Sequence, residues 1–262
     1  MNSLGIMLFI AALPVVLILL FIYNKDRSKE PLGLLLQLFI LGILSCFIVA
    51  FVSTKLSDYL PFMQGNLEDK SFFSILLYAF LGVALIEELC KWIMLYLKGY
   101  KNDEYDELYD IIVYSVFVSL GFAFFENILY VINTQSIKIA LIRAVSAIPG
   151  HACDAIFMGY YLNLAKIYET SKEKKLEKKN IILSILIPTI LHGIYDFCLM
   201  SGIKILTLVF IIFITFLYKV SLKKVEEASI NNKKFKFKNK FCKVCGKRSE
   251  KEFCPNCGIK QE

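Results

Sequence analysis

Lysine and arginine are missing from the first 24 residues, and long runs further along hold no charge at all. With no basic n-region, and no small-residue cleavage pattern after the first apolar run, that run does not read as a secretory signal but as a retained helix. Histidine is almost absent: the 262 residues hold two, His151 and His192, so no H-E-x-x-H zinc-protease pattern exists. No repeat is visible, inverted or otherwise, which withholds one sequence mark of a secondary transporter. What is plentiful is apolar. Hydrophobic residues make up 57% of the chain and mean hydropathy is +0.59, yet 20% of residues are charged. Soluble domains rarely combine the two; here the charges are bunched into loops and a tail, which excludes a soluble one- or two-domain protein.

Seven apolar stretches, near 4–23, 32–53, 71–97, 108–132, 139–165, 181–200 and 203–219, reach the roughly 20 residues that cross a bilayer core about 30 Å thick. The expected fold is all-α: a polytopic membrane bundle over 1–219, a basic juxtamembrane linker over 220–240 and a small zinc ribbon over 241–262. Charge sets the orientation. Taking the amino end as outside, the inner loops carry Lys25, Arg27, Lys29, Lys98, Lys101, Lys166, Lys172, Lys174, Lys175, Lys178 and Lys179. The outer loops and span ends carry only Lys55, Lys70, Lys138 and Lys204. The carboxyl end is then cytoplasmic, in a plasma membrane. The run Lys233-Lys234-Phe235-Lys236-Phe237-Lys238 reads as a tether to anionic lipid, each Lys worth about 1 kcal/mol near the surface, and nucleic acid is not expected as a partner.

The cysteines divide into two sets. Cys46, Cys90, Cys153 and Cys198 lie singly in apolar spans and read as small hydrophobes. Cys242, Cys245, Cys254 and Cys257 form C-x2-C-x8-C-x2-C, with Gly246 and Gly258 directly after the two pairs. Two close pairs supply four thiolates to one tetrahedral zinc. A reducing cytoplasm disfavours disulfides, and four thiolates leave no open position for catalysis. The metal here is therefore structural, and the tail a docking or regulatory element.

Ionisable side chains inside the spans carry the functional signal. They are Glu87, Glu88 and Lys91 in the third; Glu126, with Asn127, in the fourth; Arg143, His151 and Asp154 in the fifth; and His192 and Asp196 in the sixth. At roughly 2.5–3.5 kcal/mol each, the acids and bases other than histidine would cost on the order of 20 kcal/mol facing lipid, so they must face one another or an internal cavity. Lys91 stands at i+4 from Glu87 and i+3 from Glu88, and can hold one carboxylate ionised while the other accepts protons. His151 with Asp154 at i+3, and His192 with Asp196 at i+4, share helix faces, so each aspartate can orient an imidazole.

These residues resemble the motifs of PrsW-type intramembrane proteases. Glu87-Glu88-Leu89-Cys90-Lys91 looks like the EExxK motif, and Phe122-Ala123-Phe124-Phe125-Glu126-Asn127 like an aromatic-rich run ending in Glu-Asn. Arg143 with Pro149-Gly150-His151 and Gly159 resembles the third motif, and His192-Gly193-Ile194-Tyr195-Asp196 the fourth. The match covers roughly 80–200. The family is similar to the CAAX prenyl endopeptidases, which show a histidine where this chain has Glu126. The resemblance implies a peptidase in regulated proteolysis, acting on membrane-anchored proteins such as anti-sigma factors. In one scheme Glu87 or Glu88, helped by His151, activates water, His192 with Asn127 stabilises the oxyanion, and Glu126 positions a histidine. In another, Glu88, Glu126, His151 and His192 ligate a catalytic divalent metal such as zinc. The residues alone leave both open. They also leave open an ion- or proton-coupled transporter built on the same polar layer.

Overall fold

The computed structural model describes residues 3–230, 232, 240–241, 248–249 and 256. Seven helical spans are long and apolar enough to cross a membrane, running Leu4–Lys25, Leu32–Ser57, Phe72–Tyr100, Asp110–Thr134, Ile137–Thr170, Lys174–Met200 and Lys204–Ile230. The protein is an all-α, multi-pass membrane bundle, as its hydropathy requires. Cys242, Cys245, Cys254 and Cys257, and the lysine run 233–238, lie outside the described residues. Near them Lys240–Phe241 and Arg248–Ser249 pair as short antiparallel strands.

Five spans are single helices: α1 (Ser3–Lys25), α2 (Leu32–Ser57), α5 (Asp110–Thr134), α8 (Lys174–Met200) and α9 (Lys204–Ile230). The third span is α3 (Phe72–Leu77), a π-helical stretch Tyr78–Ala84, α4 (Leu85–Leu95) and a second π-helical stretch Tyr96–Tyr100. Such wide turns recur at functional sites, and the first one ends at Ala84, with two residues between it and Glu87-Glu88. The fourth span is α5 (Asp110–Thr134). The fifth is broken at Ser146 into α6 (Ile137–Val145) and α7 (Ala147–Thr170).

The spans α5 and α7 are the most buried and form the bundle's centre, flanked by α2 and α8. Lipid gives no hydrophobic drive between helices, so small residues and polar contacts bring them together. A methyl group added at Gly42 of α2 would lie 1.9 Å from the Val118 carbonyl oxygen, and one at Gly121 of α5 would lie 2.0 Å from that of Phe39. Backbones this close admit only glycine. Between α5 and α7, Ser119 Oγ donates to the His151 carbonyl at 2.9 Å and Ser115 Oγ to that of Ala155 at 2.8 Å.

The break at Ser146 has a local cause. Pro149, in the first turn of α7, has no N–H to offer the Val145 carbonyl. Tyr218 of α9 supplies the missing donor, its hydroxyl standing 2.8 Å from the Val145 oxygen and 3.2 Å from that of Ser146. The last helix runs to Ile230, well past the expected end at 219. Leu217, Ser221, Val225 and Ser229 recur every fourth residue on its buried face, so the first half of the stretch expected to be linker continues the helix.

Candidate functional site

Four spans deliver the polar layer to one place. In α4, Glu87, Glu88 and Lys91 are all buried. Lys91 Nζ donates to Glu88 Oε1 at 2.5 Å and lies 3.7 Å from Glu87 Oε2. It is also 3.3 Å from His151 Nδ1 and 4.5 Å above the Phe122 ring. Neither Lys91 nor Arg143 reaches for the membrane surface. Arg143, at the end of α6, stacks 3.8 Å from the Tyr130 ring centre and donates from Nη2 to Glu126 at 2.8 Å and from Nε to Asn127 at 2.7 Å.

The two imidazoles meet edge to face, 5.1 Å apart. Because the Lys91 ammonium can only donate, His151 Nδ1 accepts, and His151 Nε2 carries the proton it shares with Glu126 Oε2 at 3.1 Å. His192 Nδ1 stands 2.8 Å from Glu88 Oε1, and its Nε2 is 3.4 Å from Asp196 Oδ2 and 3.9 Å from Glu87 Oε2. Gly193 lets this face of α8 close on the third span, since a methyl there would lie 2.5 Å from the Phe80 ring.

A cavity of about 340 Å³ opens onto the layer, its wall including Glu87, Glu126, Arg143, His151, Asp154, His192 and Asp196. Glu87 and Glu88 therefore part company. Glu87 lines the cavity, whereas Glu88 is fully buried behind it, held between Lys91 and His192.

Three expectations need correction. Asn127 lies between Arg143 and the Ala11 carbonyl and is absent from the cavity wall, so it is not beside His192. Asp154 does not orient His151, whose nitrogens face Lys91 and Glu126; its Oδ2 is 4.0 Å from His192 Nδ1 instead. Glu126, which pairs with Arg143 and His151, is not grouped with the other expected metal ligands. The group whose ligand atoms all lie within 4.8 Å of one another is Glu88, His151, Asp154 and His192. Sequence reasoning gave no part to Tyr130 or Cys46 in the cavity wall, nor to Tyr195, whose hydroxyl donates to Ser146 Oγ at 2.9 Å and braces the helix break.

The residues suit a divalent metal. Glu87 Oε2, Glu88 Oε2, Asp154 Oδ1 and Asp196 Oδ2 are buried without a hydrogen-bond partner, a costly state for four oxygens in one layer. Two imidazoles with carboxylates are also the donor set that zinc and similar ions take in catalytic sites.

Residues 30–221 match the family described as PrsW family intramembrane metalloprotease. The chain is 38% identical over 218 residues to Protease PrsW of Oceanobacillus iheyensis, covering 83% of this chain and 94% of that protein. It is 32% identical over 235 residues to Protease PrsW of Clostridioides difficile, covering 88% and 94%. Against Protease PrsW of Bacillus subtilis it is 34% identical over 220 residues, covering 83% and 94%. No solved structure matches the chain. The chain is an intramembrane peptidase acting on a protein substrate, and it belongs to the PrsW family of intramembrane metalloproteases.

Proposed function

We propose that the protein hydrolyses a peptide bond of a membrane-anchored protein within the cavity, with Glu87 as the base that takes the proton of the attacking water. The carrying observation is the division of the glutamate pair: Glu87 lines the cavity, while Glu88 lies behind it with Oε1 held by Lys91 and His192. A general base must reach water and must not already be occupied. Glu88, His151, Asp154 and His192 are the residues that would hold a divalent metal, and such an ion, when bound, supplies Lewis-acid polarisation of the scissile carbonyl and acidifies water. Arg143 brings a guanidinium to the cavity wall, where N–H groups beyond those given to Glu126 and Asn127 can meet the developing oxyanion. Glu126 fixes His151, and Asp196 faces His192 from the next turn.

The resemblance favours anti-sigma factors among such substrates, in regulated proteolysis. The charge distribution favours the amino end outside and the carboxyl end in the cytoplasm of a plasma membrane, with residues 220–240 against anionic lipid. The spacing of Cys242, Cys245, Cys254 and Cys257 favours a structural zinc ribbon over 241–262, and the pairing of Lys240–Phe241 with Arg248–Ser249 brackets its first cysteine pair.

The test compares native membranes carrying Glu87→Gln with wild type by quantitative proteomics, alongside metal content of the purified proteins. Glu87→Gln should accumulate at least one single-span protein uncut, with its shortened form gone, and should keep its metal; Asp154→Asn should lose metal. If no membrane protein changes length, the hydrolytic reading fails. If Asp154→Asn retains full metal, the ligand set fails.

A further inference from the structure

A second group of acids lies far from the catalytic layer. Asp26 and Glu30, in the connection between α1 and α2, meet Asp110 at the start of α5, with ligand oxygens all within 4.8 Å of one another. Asp110 and Glu126 both belong to α5, and their spacing along it is about 24 Å at 1.5 Å per residue. All three acids are withdrawn from solvent, Asp26 to 3%, Glu30 to 7% and Asp110 to 0% exposure. Like charges this close and this buried need a counter-charge. Among the described residues no ion pair within 4.0 Å provides one. Lys29, a neighbour in the same loop, gives its ammonium to the backbone carbonyls of Tyr23 and Asp26.

The donors present orient the carboxylates without exhausting them. Asp26 Oδ1 accepts from the Ser28 N–H at 3.1 Å, and Glu30 Oε2 accepts from the Tyr114 hydroxyl. Asp110 Oδ2 accepts from the N–H groups of Asp106 and Glu107 at 3.0 and 2.7 Å. The remaining oxygens of the two aspartates, Asp26 Oδ2 and Asp110 Oδ1, are buried with no partner. One oxygen fixed and one left over is how second-shell donors prepare carboxylates for a metal. Burial, reinforced by the charge of Asp26, also pushes the Glu30 carboxyl up to about 7.

We propose that Asp26, Glu30 and Asp110 form a binding site for a hard divalent cation, separate from the catalytic layer. A set made only of oxygens selects ions of the magnesium, calcium and manganese class over zinc, which favours nitrogen and sulfur. The site joins three parts of the chain. Asn232, just beyond α9, accepts from the Tyr109 N–H at 3.0 Å and donates to Glu107, while Ser229 Oγ donates to the Lys25 carbonyl at 2.6 Å. A cation here would clamp the first connection, the entry to α5 and the end of α9 before the cysteine-rich tail.

The test uses the full chain in lipid nanodiscs, with Mn²⁺ binding counted by electron paramagnetic resonance and melting followed with Mg²⁺ or Ca²⁺ against chelator. Wild type should melt at least about 5 °C higher at saturating cation. Asp26→Asn, Glu30→Gln and Asp110→Asn should each bind one Mn²⁺ fewer and lose the rise, yet melt no lower than wild type in chelator, because removing a charge relieves repulsion. Asp154→Asn, which removes a ligand of the catalytic layer, should keep the rise, which separates this site from the catalytic one. An unchanged Mn²⁺ count in all three variants, or no cation-dependent rise in wild type, overturns the proposal. A proton shared by Glu30 and Asp110, or a lysine from 233–238, would then be the neutralising group.

Discussion

At Lys91 a buried ammonium sits against the glutamate pair and His151. Its Nζ lies 2.5 Å from Glu88 Oε1 and 3.3 Å from His151 Nδ1, two of the groups that would hold a metal. The ammonium and a divalent ion therefore compete for the same electron pairs. Replacing Lys91 with methionine keeps most of the volume and removes the charge, leaving Glu88 buried and uncompensated. The expected cost is about 3–5 kcal/mol, a melting shift on the order of 10 °C for a chain of this size. Zn²⁺ should restore Lys91→Met more than it stabilises wild type, because the ion then meets no resident charge. Melting curves in chelator and in Zn²⁺ decide it: if the variant melts like wild type in chelator, Lys91 is not the counter-charge that Glu88 needs.

Among the elements, the broken fifth span shows how backbone polarity is managed in lipid. Pro149 frees the Val145 carbonyl, and the Tyr218 hydroxyl answers it from α9. The freed group cannot turn to water inside a bilayer. Tyr218→Phe should therefore cost about 1–3 kcal/mol, read as a lower melting temperature in nanodiscs. Because the break also aims Arg143 at Glu126 and the cavity, turnover should fall with it. A variant equal to wild type in both readings would show that the break needs no cap. The same element shows where sequence reading stops. Hydropathy located the spans to within a few residues over most of the bundle, since only long apolar runs suit a bilayer. It could not locate the break, because a proline in a first turn is compatible with an uninterrupted helix. It ended the last span at 219, because Lys223, Lys224, Glu226 and Glu227 look like linker until the buried row through Ser221, Val225 and Ser229 is seen. Glu87, Glu88, His151 and His192 were legible as one converging polar layer because charge has no bland place at mid-membrane. The true facing of Asp154 and Asn127 was not, since the rotation of each helix against its neighbours is set by packing. Asp26, Glu30 and Asp110 went unnoticed for a related reason: at span ends, acids read as solvated loop.

Across the whole molecule the two ends differ. Toward one, the first and third connections and the end of α9 are tied to one another through Ser229, Asn232, Glu107 and Lys25. Tyr105, in the third connection, also donates to Asn163 Oδ1 of α7 at 2.7 Å. The catalytic cavity runs the other way, its wall extending to Ser53 near the end of α2, Met63 in the next connection and Met200 at the end of α8. A peptide entering the cavity thus meets the catalytic layer from the end that carries the 58–71 connection, while the opposite end is knit shut. On the orientation proposed from charge, that entrance would be the outer one. Substrate should accordingly be cut in the outer half of its span or just outside it, and the soluble product should be the extracellular portion. Mass spectrometry of the new termini in substrate trapped by Glu87→Gln and then released by wild type decides this. A new terminus at the cytoplasmic end of the substrate span would require either the reverse orientation of the bundle or an entrance through the knitted end. Labelling a single cysteine placed at Gly65, in the 58–71 connection, with a membrane-impermeant thiol reagent on intact cells separates those two: labelling fixes that connection outside and leaves only the second.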